Sequence, residues 1–420
     1  MSSLGFSVLF VAFLLLTLGL RFWLATRHIR HVARHRAAVP AEFAPKVPLE
    51  AHQKAADYTV AKTRFGLVGL LWGAVTLVGF TLLGGLQWLS MSLVPLLGAG
   101  LAHQMALVVA FAVISGVLDL PFDWYRQFVL EQRFGFNKMT PGLWLSDQFK
   151  GALVGAVIGL PLLWVVLTLM EKSGDLWWLY TWFVWSGFQL LMLALYPSLI
   201  APLFNKFSPL SDDSLKQRIE GLMTRVGFAS RGLFVMDGSK RSAHGNAYFS
   251  GFGRAKRIVF FDTLLSRLEP QEIEAVLAHE LGHFKLRHIV KRISVMFAVS
   301  LAFLALLGYL KGQAWFYTGL GVLPFMNASN DGMALILFML VLPVFTFVFA
   351  PLNSITSRKH EFEADAFAAR HTDYRDLVSA LVKMYEDNAS TLTPDPLHSA
   401  FYDSHPPASV RVKHLTMAVA

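Results

Sequence analysis

Uninterrupted apolar runs of about 20 residues, the length that crosses a hydrocarbon core of roughly 30 Å, recur along this 420-residue chain. They make lipid part of its solvent. About seven candidate spans are read, at residues 5–25, 65–86, 103–120, 151–171, 178–201, 292–311 and 333–353. Composition agrees: 15% of residues are charged and 55% hydrophobic, against about a quarter charged in soluble domains. The expected fold is an all-α multi-pass membrane protein of about seven transmembrane helices with a small inserted α+β domain. Residues 87–101 are also apolar and read as an interfacial or re-entrant piece. The first run starts almost at Met1, with neither a preceding basic segment nor a following small-residue cleavage site, and is expected to be retained.

Orientation follows from Lys and Arg in the short loops. Directly after the first span, residues 27–36 (RHIRHVARHR) carry four Arg and are read as a cytoplasmic loop. Its three His fit a juxtamembrane anchor better than a metal site. Counting crossings from there returns the loop at 121–150, the polar stretch 203–290 and the tail after 354 to the cytoplasmic side. Four regions result: 1–202 with five spans, 203–290 as a catalytic insertion, 291–353 with two further spans, and 354–420 as a C-terminal segment.

Within 203–290 the periodicity changes. Residues 213–227 have helical spacing with Gly227 as a stop, and Leu233 to Met236 read as a strand. AYFSGFG and RIVFFD read as two strands joined by a turn. A helix is expected from about Pro270. It contains His279-Glu280-Leu281-Gly282-His283. Two His four residues apart project from one helix face and can present ring nitrogens to one zinc. Glu280 then sits where it can hold and deprotonate the attacking water, as a general base of metal-assisted peptide hydrolysis. The spacing predicts one zinc per chain.

A catalytic zinc takes three protein ligands and keeps a fourth position open. The chain has no cysteine, so thiolate sites, disulfides and Cys nucleophiles are excluded. The third ligand is assigned to Glu361, in the helix-prone stretch RKHEFEADAFA after the seventh span. Asp365, four residues on, shares its face and is assigned to support a ligand His or the reacting groups. Glu363 is expected to point away. His288 is discounted as a ligand, since it would lie about 140° round the helix from His283. The net charge of +9 is ascribed to Lys and Arg flanking spans, and no nucleic acid is expected as a partner. The expected partners are a peptide or protein substrate and the lipid bilayer; the oligomeric state is left open.

The chain resembles the zinc CAAX prenyl endopeptidases. The likeness rests on FVLEQRFGFNKMT (128–140), YPSLIAPLFNKFSPL (196–210), SAHGNAYFSGFG (242–253), the HELGH helix, SRKHEFEADAFA (357–368) and SHPP with a following Arg (404–411), in the family's order. The resemblance implies seven spans around a water-filled chamber, His279, His283 and Glu361 as zinc ligands, Glu280 as base, and Asp365 in support. It implies that Asn246, Ala247 and Tyr248 line the substrate cleft, which suits an edge strand that pairs with an extended peptide. It further implies that His405 and Arg411 are site residues able to polarise the scissile carbonyl. The activity implied is removal of the last three residues of a prenylated C-a-a-X peptide or a related one. The chain ends in HLTMAVA without an ER-retrieval signal, and the composition suggests a bacterial inner membrane. There the natural substrate need not be prenylated; in a eukaryote the ER membrane would apply. Two other readings remain open: a quality-control protease for misfolded membrane proteins, and a transporter or scaffold with a structural metal of four protein ligands.

Overall fold

The computed structural model describes residues 1–230, 232–250 and 257–417. Among these, seven helices are long and apolar enough to cross a membrane: Ser3–His35, Leu49–Phe80, Leu101–Glu131, Pro141–Lys172, Gly174–Phe204, His288–Lys311 and Asp331–His371. The chain is a multi-pass integral membrane protein. Six of these helices outlast the apolar runs that announced them, because polar helix formers continue the hydrogen-bond ladder beyond the hydrocarbon-length stretch. The first shows this best. Ser2 caps it by accepting from the Gly5 backbone N–H at 3.1 Å, and it continues to His35. The Arg-rich 27–36 segment is therefore mostly helix, not the expected loop; no Gly or Pro interrupts it before Pro40. The second stops at Phe80, short of residue 86, where the chain turns through Gly84 at φ 78°. A 13-residue helix, Gly85–Leu97, follows. At about 20 Å it is too short to cross, and Leu86 and Leu89 bury one side of it.

Four of the seven helices have only 6% of their most apolar stretch buried within the protein, so most of that apolar surface is left for lipid or an interior space to cover. The packed apolar centre of the membrane region gathers Phe10, Leu107, Leu167 and Phe316 with Ala334 and Leu337 of the last span.

The inserted segment forms a four-stranded sheet: β1 (Phe207–Pro209), β2 (Leu233–Met236), β3 (Ala247–Ser250) and β4 (Arg257–Phe261), in the order β1-β2-β4-β3. β2 and β4 are parallel; the other two pairings are antiparallel, with Tyr248 opposite Val259. Any turn between β3 and β4 falls at 251–256, outside the described residues. Helix Asp213–Arg225, with Gly227 at φ 59° just beyond it, and helix Tyr374–Asp387 pack around helix Pro270–Lys285. Their shared core includes Ile219, Leu222, Phe260, Leu277, Leu281 and Leu377. Phe43 and Val47, just past the first long helix, are buried in the same core. The expected boundaries at 290/291 and 353/354 fall inside helices His288–Lys311 and Ala350–His371, so membrane and catalytic regions share continuous helices.

Candidate metal centre and active site

Helix Pro270–Lys285 is fixed at its start by the side chain of Glu272, which accepts from the Glu269 N–H at 2.8 Å and from Lys383 Nζ at 2.8 Å. It crosses helix Ala350–His371 at close range. Gly282 makes this possible: a Cβ there would lie 3.0 Å from Ala364 Cα and 3.1 Å from Phe367 Cβ. Ala364 and Ala368 on the facing helix are fully buried. The small residues bring His279 and His283 against Glu361 and Asp365.

The Nε2 atoms of His279 and His283 lie 3.2 Å apart. The Glu361 carboxylate stands 3.5 Å from the first, through Oε2, and 3.3 Å from the second, through Oε1. Oε2 is buried and has no hydrogen-bond partner; Arg411 Nη1 at 3.6 Å offsets part of its charge, and a bound cation would supply the contact it still lacks. A tetrahedral ion with bonds of about 2.0 to 2.1 Å has ligand-to-ligand edges of about 3.3 Å; the His pair lies near that edge, and each ring nitrogen faces one of the two carboxylate oxygens at a similar distance. These residues fit a divalent metal.

Behind the ligands, Asp365 Oδ1 lies 2.8 Å from His279 Nδ1. Asp365 is fully buried and held by Arg411, whose Nε donates to Oδ2 at 2.9 Å and whose Nη2 donates to Oδ1. Arg411 Nη1 is 3.6 Å from Glu361 Oε2. Burial pushes the His279 imidazole down, but the Asp365 and Glu361 carboxylates outweigh it and raise it to about 9.

Glu280 is half-buried and forms no hydrogen bond or ion pair with any described residue, which leaves its oxygens available. His405 Nε2 lies 3.4 Å from Glu361 Oε1 while 61% of its side chain remains exposed. Its loop is tethered by Arg358, which donates to Ser399 Oγ at 2.9 Å and to the Asp403 carbonyl at 3.4 Å. Asn246 is exposed just before β3; its carbonyl accepts from the Phe261 N–H at 3.0 Å. Among the described residues β3 pairs only with β4; Tyr248 turns its backbone toward Val259, while Ala247 faces the open edge, its N–H donating to Asn246 Oδ1 at 2.8 Å. The structure thus brings His279, His283, Glu361, Asp365, His405 and Arg411 together and puts the Asn246 segment at a sheet edge.

Two residues set aside in the sequence reading also lie here. Helix Pro270–Lys285 ends before residue 288, and Arg287 at φ 58° turns the chain into the next helix. The extrapolated 140° rotation therefore does not apply. His288 Nδ1 stands 3.0 Å from His283 Nδ1. Glu363 does point away from Glu361, but onto His288 Nε2 at 2.9 Å. With His360 these two form a second group of metal-type side chains. A left-handed Arg leaves no mark in the sequence that would have revealed this.

A His-Glu-x-x-His helix crossed by a glutamate-bearing helix, set among seven spans, defines an integral-membrane metallopeptidase. Residues 28–206 match a family described as CAAX prenyl protease N-terminal, five membrane helices, and residues 209–419 match peptidase family M48. The CAAX prenyl protease 1 homolog of Arabidopsis thaliana is 36% identical over 87% of each chain. CAAX prenyl protease 1 of Saccharomyces cerevisiae is 34% identical over 87% of this chain and 86% of its own. The crystal structure of S. mikatae Ste24p superposes with a TM-score of 0.91 at 31% identity, covering 99% of this chain and all of that one. The chain belongs to the M48 peptidase family, in its CAAX prenyl protease branch, and is a membrane metalloendopeptidase acting on peptides.

Proposed function

We propose that the metal is one zinc ion held by His279, His283 and Glu361, and that the enzyme trims the C-terminal tripeptide from prenylated C-a-a-X peptides or related ones. The observation that supports the zinc reading is that the two His Nε2 atoms stand 3.2 Å apart and each faces one Glu361 oxygen at 3.3 to 3.5 Å, with Oε2 lacking any hydrogen bond. The substrate reading rests on the relatives' names. When bound, zinc supplies Lewis acidity at the scissile carbonyl and lowers the pKa of water. Glu280 takes the proton from the attacking water and returns it to the leaving amine nitrogen. The water oxygen bonds to the carbonyl carbon as the C–N bond breaks. Asp365 orients His279. The donors that Arg411 spends on Asp365 favour a bracing role for it over direct contact with substrate, which leaves exposed His405 to donate to the developing oxyanion. The free edge of β3 supports pairing with an extended peptide along Asn246, Ala247 and Tyr248.

The site is assigned to the cytoplasmic face, because Phe43 and Val47, next to the Arg-rich 27–36 segment, lie in the catalytic core. A bacterial inner membrane is the proposed location.

The test compares the wild type with Glu280→Gln on a farnesylated C-a-a-X peptide and its unprenylated twin, with bound zinc measured in both proteins. The expected result is full zinc and no cleavage in the variant. Unchanged cleavage would sink the mechanism. A wild type that cuts neither peptide but degrades unfolded membrane proteins would replace the substrate reading with quality control.

A further inference from the structure

The metal ligand His279 has its Nδ1 held by Asp365. A ligand imidazole needs such a partner, because the group that accepts from Nδ1 fixes both the tautomer and the ring plane and raises the basicity of Nε2. His283 faces no carboxylate on that side. Its Nδ1 meets His288 Nδ1 at 3.0 Å, and His288 Nε2 meets Glu363 Oε2 at 2.9 Å.

We infer that His288 and Glu363 are positioning residues, joined in a hydrogen-bonded chain that locks the tautomer and orientation of His283. This rests on the assignment of His283 Nε2 to the metal. Given that, the proton placement has one solution. The lone pair of His283 Nε2 is committed to the metal, so Nδ1 carries hydrogen and donates. His288 Nδ1 must then accept, its hydrogen resides on Nε2, and Nε2–H donates to Glu363. Every ring nitrogen is satisfied. A protonated His288 would oppose two N–H groups across 3.0 Å, so the chain requires it neutral. His288 is buried, at 4% exposure, and the His360 ring stacks on it at 4.0 Å with an interplanar angle of 11°. Near-parallel rings aim their in-plane lone pairs side by side rather than at a common point. The group His288, His360 and Glu363 therefore suits an orienting stack better than a second metal site.

The chain separates the two ends of the His288 ring, which side-chain amides can mimic one at a time. His288→Asn places an oxygen near the Nδ1 position and keeps an acceptor for His283. His288→Gln reaches toward Glu363 but leaves His283 Nδ1 without a partner. His288→Phe keeps the stacking surface and removes both hydrogen bonds. Zinc dissociation constants are measured on the full-length protein in detergent by competition with a chelator, alongside unfolding temperatures and the visible spectrum of the cobalt-substituted form.

His288→Phe and His288→Gln are expected to bind zinc about 10- to 100-fold more weakly with altered cobalt bands, and His288→Asn to stay within a few-fold of wild type. Equal weakening in Asn and Gln variants, tracking unfolding temperature alone, would reduce His288 to a packing residue and overturn the inference. So would wild-type affinity in His288→Phe, or two zinc ions per wild-type chain. Glu363→Ala, at a half-buried site that tolerates truncation, tests the far end independently: weaker zinc binding supports the chain and unchanged binding overturns it. A His283→Ala control that keeps stoichiometric zinc would instead remove the ligand assignment itself.

Discussion

His279 Nδ1 lies 2.8 Å from Asp365 Oδ1, and the same carboxylate is gripped from its other side by Arg411. One buried anion thus serves two masters: it holds the ring of the proposed metal ligand His279 and neutralises a buried guanidinium. Truncating it should expose both dependencies at once.

In Asp365→Ala, Arg411 loses its hydrogen-bonded carboxylate and keeps only Glu361 Oε2 at 3.6 Å, which should cost toward the low end of about 3 to 5 kcal/mol, and zinc affinity should fall about 10- to 100-fold. The double variant Asp365→Leu with Arg411→Met removes the stranded charge. Its unfolding temperature should recover while its zinc affinity does not. Recovery of both would mean that Asp365 matters only as Arg411's partner.

Gly282→Ala would ordinarily stabilise a helix by roughly 0.5 to 1 kcal/mol. Here the new methyl meets the backbone of Ala364 at 3.0 Å, and backbone cannot rotate away. The expected outcome is destabilisation by about 1 to 3 kcal/mol with weakened zinc binding, because the shift separates His279 and His283 from Glu361. Thermal unfolding and zinc titration check it; a stabilised variant would refute the close crossing.

The raised proton affinity of His279 has a defined sign. In chelator-stripped protein the folded state keeps a proton on this ring up to about 9, whereas an unfolded His releases it near 6.5. That contribution to stability is fully present below about pH 6.5 and is lost as pH rises through 9. Zinc must displace the same proton. Uptake at pH 7 should therefore release about one proton per ion, and affinity should climb about tenfold per pH unit toward 9. Calorimetry in buffers of differing ionisation enthalpy measures the release, and its absence would show His279 already neutral.

At the C-terminal segment the His398 ring stacks on His28 of the first long helix at 4.0 Å, and burial pushes His398 down to about 4. Here the unfolded chain binds the extra proton, so stability falls as pH drops from about 6.5, and the loss from this group levels off below about 4. His398→Phe should flatten the acid limb of the unfolding-temperature profile over that interval. An unaltered limb would assign it to other groups.

The legible part of this protein was whatever repeats on the scale of one helix. Apolar run lengths located all seven spans, and the four-residue spacings of His279 with His283 and of Glu361 with Asp365 put each pair on one face. Contacts that depend on where a helix stops or what crosses it were not legible. Arg287 in a left-handed conformation moved His288 onto the site, against a calculation that assumed unbroken helix. Gly282 appears in the sequence only as a variable position of the His-Glu-x-x-His motif, but its meaning lies in Ala364, more than eighty positions away. The Arg-rich 27–36 segment looked like a loop because its polarity was read and its helix propensity was not.

The last span offers a closing consequence. From Asp331 the chain crosses the apolar region, passes the short turn Phe347–Phe349 and continues as helix Ala350–His371, which carries Glu361 and Asp365. Anchor and proposed ligand are one rod. A water-soluble fragment that keeps the glutamate inherits a helix severed from its root, and one that keeps the root drags hydrocarbon-facing residues into buffer. In this architecture the bilayer is not where the enzyme is stored; it is part of the jig that holds the proposed third ligand in place.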